Sequence, residues 1–224
     1  MKKFLLIACM ALFGVCSMSA QSETFKNLQW EANAGVNFAK LTDWDSKVGF
    51  NIGVRGKIQL PMIAENVYAN AGVLLTFKGA SLDMGELGET KINANFLEIP
   101  IHIGYQYAVN ENLSVFGEFG PYFAFGLFGK TKNKSVEYAY GDGSTSEMTE
   151  TSNNTFDEMK RFDFGLGFRV GAEIRQKYIL SVGYDFGLVN VYNKDDYMDP
   201  EDTNIYITPT WKHSNMHISL GYKF

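Results

Sequence analysis

Residues 95–108 read NFLEIPIHIGYQYA. Leu97, Ile99, Ile101, Ile103, Tyr105 and Tyr107 occupy the odd positions, while Phe96, Glu98, Pro100, His102, Gly104 and Gln106 occupy the even ones. A repeat of two marks an extended strand with unlike faces. Seven further segments alternate in the same manner: residues 28–38, 48–60, 67–78, 113–130, 162–175, 178–192 and 216–224. Each is long for a strand of a soluble domain and long enough to cross a bilayer at a tilt. The alternation stays in phase across Pro100, which predicts one missing ladder hydrogen bond and no net bulge there.

The connections alternate too. Residues 61–66, 108–112 and 175–177 are short, whereas 79–92, 131–160 and 193–215 are long and rich in Asp, Glu, Gly, Ser, Thr and Asn; the modest 39–47 connection belongs with the long ones. Short turns at one end and long polar loops at the other predict an all-β fold, an eight-stranded antiparallel up-and-down barrel.

Period two does not say which face points inward. The polar face holds Gly35, Gly53, Gly72, Gly104, Gly165, Gly167, Gly171, Gly183 and Gly221, residues suited to a crowded lumen. The apolar face carries Trp30, Tyr105, Tyr107, Tyr178 and Tyr222, all at the short-turn end, as an interfacial aromatic girdle requires. The apolar face is therefore expected to meet lipid, which makes the barrel transmembrane.

The first residues support export. Lys2 and Lys3 precede an apolar run over residues 4–15, and Ser17, Ser19 and Ala20 follow, so residues 1–20 read as a cleaved signal peptide and 21–224 as the barrel domain. The stretch Leu6-Ile7-Ala8-Cys9 is like a lipoprotein box but sits too early for one. Both cysteines, Cys9 and Cys16, leave with the signal, so disulfide and thiolate chemistry is not expected. Loss of Lys2 and Lys3 takes the formal charge from −5 to −7, which argues against nucleic acid as a partner.

Several stretches resemble the PorT-like outer-membrane β-barrel family, eight-stranded barrels of the OmpA-like kind abundant in Bacteroidota. They are Phe96-Leu97-Glu98-Ile99-Pro100, Gly117-Glu118-Phe119-Gly120-Pro121-Tyr122, Phe164-Gly165-Leu166-Gly167 through Gly171, Gly183-Tyr184-Asp185-Phe186-Gly187-Leu188-Val189-Asn190, and Ile218-Ser219-Leu220-Gly221-Tyr222-Lys223-Phe224. The resemblance implies the barrel fold and outer-membrane localisation. It implies no single activity, since the founding member serves a secretion system and most relatives have no assigned role.

By phase, the lumen receives Glu31, Glu98, Glu118, Asp163, Glu173 and Asp185 against Arg55, Lys57, Lys78, Arg169 and Lys223, with His102 among them. An eight-stranded barrel is only wide enough for side chains to fill. These charges are therefore expected to pair, because an unpaired buried ion costs several kcal/mol. A plugged lumen follows; a proton or ion path is the alternative. His102 could serve as a general base, but it points inward beside Glu98, and His213, near the loop rim, stands alone. No enzyme, cofactor or metal site is expected, with a lipid-modifying activity as the minor alternative.

Asp195, Asp196, Asp199, Glu201 and Asp202 could attract a divalent ion, but their spacing fits no calcium loop; a solvated outer loop touching lipopolysaccharide is the plainer reading. Val136-Glu137-Tyr138-Ala139-Tyr140 followed by Gly141-Asp142-Gly143 predicts a hairpin beyond the membrane, whose tyrosines could meet a surface partner or equally serve ordinary hairpin packing. Ile218, Leu220, Tyr222 and Phe224 face one way in the last strand, a pattern that resembles the signal read by the barrel-assembly machinery. The expected function is envelope-structural or surface-interacting, or else that of a barrel within a secretion assembly. Outer-membrane lipid is the expected surrounding partner.

Overall fold

The computed structural model describes residues 28–85, 88–137, 147–193 and 209–224. The signal segment with its cysteines, the tyrosine-bearing tip at 138–140 and the acidic run at 195–202 lie outside these residues.

The strands are β1 (Gln29–Leu41), β2 (Asp45–Gln59), β3 (Val67–Asp83), β4 (Gly88–Asn110), β5 (Leu113–Glu137), β6 (Glu147–Asn154), β7 (Phe162–Ile174), β8 (Tyr178–Gly187) and β9 (His213–Lys223); a single helical turn, α1 (Thr155–Glu158), follows β6. All pairings are antiparallel. β4 pairs with β5, β5 with β7, and β1 with both β2 and β9, so every strand except β6 belongs to a closed ring of eight. β6 pairs with β5 alone and lengthens the wall outside the ring.

The outward face is apolar over most of its height. Ile101, Ile103, Tyr105 and Tyr107 on β4, Phe50 and Ile52 on β2, and Leu180 and Leu220 on β8 and β9 are all exposed. The opposite face of the same strands buries Glu98, His102, Asn51 and Ser219. Hydrocarbon turned out and charge turned in is the inverse of a water-soluble barrel and is what a bilayer selects.

Several boundaries differ from the sequence reading. The expected loop over 79–92 is mostly strand, because β3 continues to Asp83 and β4 already begins at Gly88. Residues 39–47 narrow to a turn over 42–44. The region 131–160 contains the end of β5, all of β6 and α1, and the segment expected to run to Tyr192 stops at Gly187. Loop-like composition concealed the first and third of these, since Ser, Thr and Asn also pair well across strands when one face is solvated.

Pro100 pairs opposite Tyr122 of β5, and on its other side the ladder resumes from Ala71↔Ile101 to Leu74↔Glu98 with equal residue counts on both strands. The missing donor leaves a gap without a shift of register. The register shifts elsewhere, and the bulge that matters for the lumen is on β5: Asn95 faces Phe128 while Phe96 faces Gly126, so Leu127 is the extra residue. Below it the even residues of β5 point inward, as Glu118, Tyr122 and Ala124 do; above it an odd residue, Thr131, is buried instead.

Candidate functional site: the charged lumen and its outer mouth

At the short-turn end of the lumen, Lys223 Nζ is paired with Glu173, and Lys57 Nζ donates to Gln106. Gln106 in turn donates to Glu173 over 3.3 Å. The space left beside Glu31, Lys57, Tyr68 and Lys223 is about 10 Å³, roughly one water molecule. Gly104 makes this closeness possible, because a Cβ there would sit 2.4 Å from the Tyr68 ring.

One level further in, Arg169 forks between two carboxylates, at 2.6 Å from Glu31 and 2.8 Å from Glu118. The planar guanidinium suits this arrangement, which an ammonium could not reproduce with the same geometry. Asn70 donates to the other oxygen of Glu118 at 3.0 Å, and Arg55 stands 3.8 Å from Glu118. Above them, Asn215 donates to Asp185 at 3.0 Å and His217 lies 3.8 Å from the same carboxylate. Lys78 and Glu98 pair at 2.7 Å, and Asp163 holds His213 at 3.0 Å and accepts from the Tyr122 hydroxyl at 3.3 Å.

At the end that carries the long connections the chemistry changes. Leu41, Ala80, Ile92, Ala94, Phe96, Ala124, Phe156, Met159 and Val191 form one buried apolar cluster, flanked by Trp44 and Trp211. α1 supplies part of it. Asn154 caps the turn by accepting from the Phe156 amide at 3.2 Å, which swings the Phe156 ring over the mouth, edge-on to Phe96. Gly126 lies beneath that ring; a Cβ there would meet it at 2.2 Å. Arg161 secures the arrangement, donating to the carbonyls of Gly126 at 2.9 Å and Leu127 at 3.0 Å while its guanidinium stacks 4.6 Å from the Phe156 ring.

The structure places Glu31, Arg55, Lys78, Glu98, His102, Glu118, Asp163, Arg169, Glu173 and Asp185 inside the ring and buried, with Lys57 and Lys223 half-buried at its short-turn end. His102 is buried, and neither of its ring nitrogens has a hydrogen-bond partner among the described residues. His213 does not stand alone at the rim; it is buried, bonded to Asp163 and edge-on to Phe96. His217 and the asparagine set of Asn33, Asn37, Asn51, Asn70 and Asn215 also line the lumen. The phase of the last strand marks His217 as inward, on the face opposite Ile218 and Leu220. The apolar mouth was harder to see, because Phe96 on the polar side of its strand is a single exception to a pattern.

On the outside, Tyr105, Tyr107, Tyr178 and Tyr222 are exposed and Trp30 is half-buried, all near the short-turn end; Tyr178 and Tyr222 touch edge-on at 5.7 Å. Ile218, Leu220, Tyr222 and Phe224 all point outward, and the Phe224 amide donates to the Trp30 carbonyl at 3.0 Å.

A model of the outer membrane protein beta-barrel domain matches residues 19–193, most of the chain. The chain belongs to that family. Its barrel is therefore an outer-membrane barrel, in keeping with the lipid-compatible outer face. No curated protein matches the chain. Among solved structures it is similar to Ail, the attachment invasion locus protein of Yersinia pestis, at 14% identity over 88% of this chain and 97% of that one, with a TM-score of 0.39. It is likewise similar to a major outer membrane protein from Thermus thermophilus (15% identity, 88% and 99% coverage, TM-score 0.43) and to the outer membrane protein OprG from Pseudomonas aeruginosa (11%, 88% and 94%, 0.41). Within the wall of this member of the outer-membrane barrel family the filling has two parts, ionic toward the short turns and apolar toward the long connections.

Proposed function

We propose that the protein is a non-conducting, non-enzymatic outer-membrane barrel that keeps its short turns in the periplasm and carries its long connections on the cell surface, in an envelope-structural or surface-interaction role. The observation that carries this reading is the pairing of the Arg169 fork with the apolar cluster around Phe96 and Phe156, which fills the lumen at two levels. An ion entering from either end meets compensated charge or hydrocarbon. All three histidines of the chain lie inside the wall, away from any lipid substrate, which supports the non-enzymatic reading. Planar-bilayer recording tests closure: the purified barrel is expected to show no steady ohmic current, and a large reproducible conductance would reject it.

A barrel anchoring a secretion assembly, as in PorT-like proteins, is the second reading, favoured by the Leu97-Glu98-Ile99-Pro100 element. Crosslinking in intact cells separates the two, because co-purification of secretion components would support the assembly role. Removal of residues 1–20 as a signal predicts a mature chain starting at Gln21, readable by N-terminal sequencing. The outward row Ile218, Leu220, Tyr222 and Phe224 supports recognition by the assembly machinery. Its test is whether Phe224→Ala lowers outer-membrane insertion in cells more than refolding in detergent.

A further inference from the structure

Above the apolar band, the outward faces of β3 to β6 form four transverse rows. The row nearest the hydrocarbon holds Phe77, Asn95 and Phe128. The next holds Gly79, Asn93, Lys130 and Asn154, then come Ser81, Lys91, Lys132 and Ser152, and last Asp83, Glu89, Lys134 and Glu150. Lys47 of β2 reaches into the second row, where its ammonium donates to Asn93. On β3 to β6 the two lysine-bearing rows closest to lipid thus hold cations and neutral residues, with Asp83, Glu89 and Glu150 beyond them, while Asp45 of β2, opposite Ser81, and Asp157 of α1, which accepts from Asn154 at 3.1 Å, stand at their flanks.

This order is electrostatically costly when unliganded. Lys91 and Lys132 are directly opposed across β4 and β5, a like-charge placement that destabilises a sheet. Glu89 reaches back to Lys91 at 2.7 Å and Glu150 to Lys132 at 3.0 Å, while Lys134 stands between Glu89 and Glu150 without a close ion pair and Lys130 has no ion pair among the described residues. Lys132, first by its hydrogen bond and then by its charge, and Lys134 behind it hold the Glu150 carboxyl below the usual carboxylate range. Glu89, Lys91, Lys132, Lys134 and Glu150 border an open groove of about 200 Å³.

Height decides which anion fits. A step of two residues along a strand rises about 7 Å. The headgroup layer adds roughly 5–8 Å on each side of the hydrocarbon core. With the strands tilted by about 35–45°, each step climbs about 5 Å, so the Lys130 row stands at the height of the outer-leaflet headgroups and the Lys91 and Lys132 row at that layer's outer edge, above exposed Phe50 and Phe128 and the Phe77 ring that stacks on Phe50 at 4.1 Å. Rings for acyl chains below and ammonium groups for anions above match an amphiphile better than a soluble polyanion.

We propose that Lys47, Lys91, Lys130 and Lys132 form a binding site for the phosphate groups of a phosphorylated glycolipid of the outer leaflet. The assignment rests on the orientation put forward above, with the long connections outside. The full-length protein, reconstituted in phosphatidylcholine nanodiscs containing either bisphosphorylated or dephosphorylated lipid A, provides the test, with retained lipid counted by native mass spectrometry. The wild type is expected to prefer the phosphorylated form at least tenfold. The triple variant K91Q/K130Q/K132Q is expected to lose that preference, and K91R/K130R/K132R to keep it; heat-modifiable mobility establishes that each has folded. Should the triple variant fail to fold, K130Q and K132Q singly are each expected to lower the preference by about two- to threefold. Equal retention of the two lipids by the wild type, or an undiminished preference in the glutamine variants, overturns the proposal. So does binding of a soluble sulfated polysaccharide without preferential lipid retention. A Thr149→Cys variant labelled on intact cells with an impermeant maleimide checks orientation separately: failure to label rejects the outward placement, whereas labelling with unchanged lipid retention rejects the lipid site alone.

Discussion

Arg169 Nη2 lies 2.6 Å from Glu31 Oε1 across the lumen, although 138 residues separate the two along the chain. Glu31 is on β1 and Arg169 on β7, with β8 and β9 between them in the ring. Through its other nitrogen Arg169 binds Glu118 of the adjacent β5 at 2.8 Å. One guanidinium thus ties opposite walls together where no backbone ladder can.

Arg169→Met is expected to lower stability by about 3–5 kcal/mol, because it leaves buried Glu31 without its cation and Glu118 with Arg55 alone, at 3.8 Å. The double change Arg169→Met, Glu31→Gln, which leaves Glu118 to Arg55, should recover a large part of that loss. Urea unfolding in lipid vesicles measures both; equal stabilities for the single variant and the wild type would remove the fork from the account of the lumen.

Gly126 and Phe156 should be coupled. Gly126→Ala is expected to be destabilising in the wild type, since its Cβ would fall 2.2 Å from the Phe156 ring, and close to neutral once Phe156→Ala has vacated the space. Phe156→Ala alone should cost about 3–5 kcal/mol as a buried aromatic truncation. A double-mutant cycle yields the coupling directly, and simple additivity would mean that the ring does not sit over the glycine.

Arg161→Met keeps much of the stem's bulk but removes the donors to the Gly126 and Leu127 carbonyls. A loss of about 1.5–3 kcal/mol is expected for hydrogen bonds from a charged group. Hydrogen exchange should also quicken at the Gly126 and Met159 amides, while amides near Glu31 keep their protection.

Ile101→Arg and Val182→Arg place a charge in the outward apolar band and are each expected to cost about 2–4 kcal/mol near the bilayer midplane. Thr149→Arg, on the exposed part of β6 beyond the ring, should be tolerated. Refolding titrations into vesicles rank the three, and a reversed ranking would place the wrong face against lipid.

Alternation along the chain carries which face a residue takes, and that is why the ring, its lipid-facing side and the inward charges could all be read from the residues alone. It does not carry which partner a side chain meets. Lys57 pairs with neutral Gln106 and Asp163 with His213, choices set by how eight strands stagger around the lumen. Nor does alternation report strand ends where both faces turn polar, so β6 and the outer parts of β3 and β4 read as loops. The mouth was hidden for a third reason. Phe156, Met159 and Val191 come from irregular segments with no period to betray which way they point.

The extra residue at Leu127 has a consequence for the outer collar. A ladder without it would keep the even residues of β5 turned inward, and Lys130, Lys132 and Lys134 would project into the apolar mouth beside Ile92 and Ala94. With it, the same three lysines turn to the outside of the wall and Thr131 takes the interior place. One residue of backbone therefore acts as a parity switch. It lets a single strand present acid and aromatic groups to the lumen at one height and a cationic surface to the world at another, so that the electrical character of the surface can vary independently of the plug beneath it.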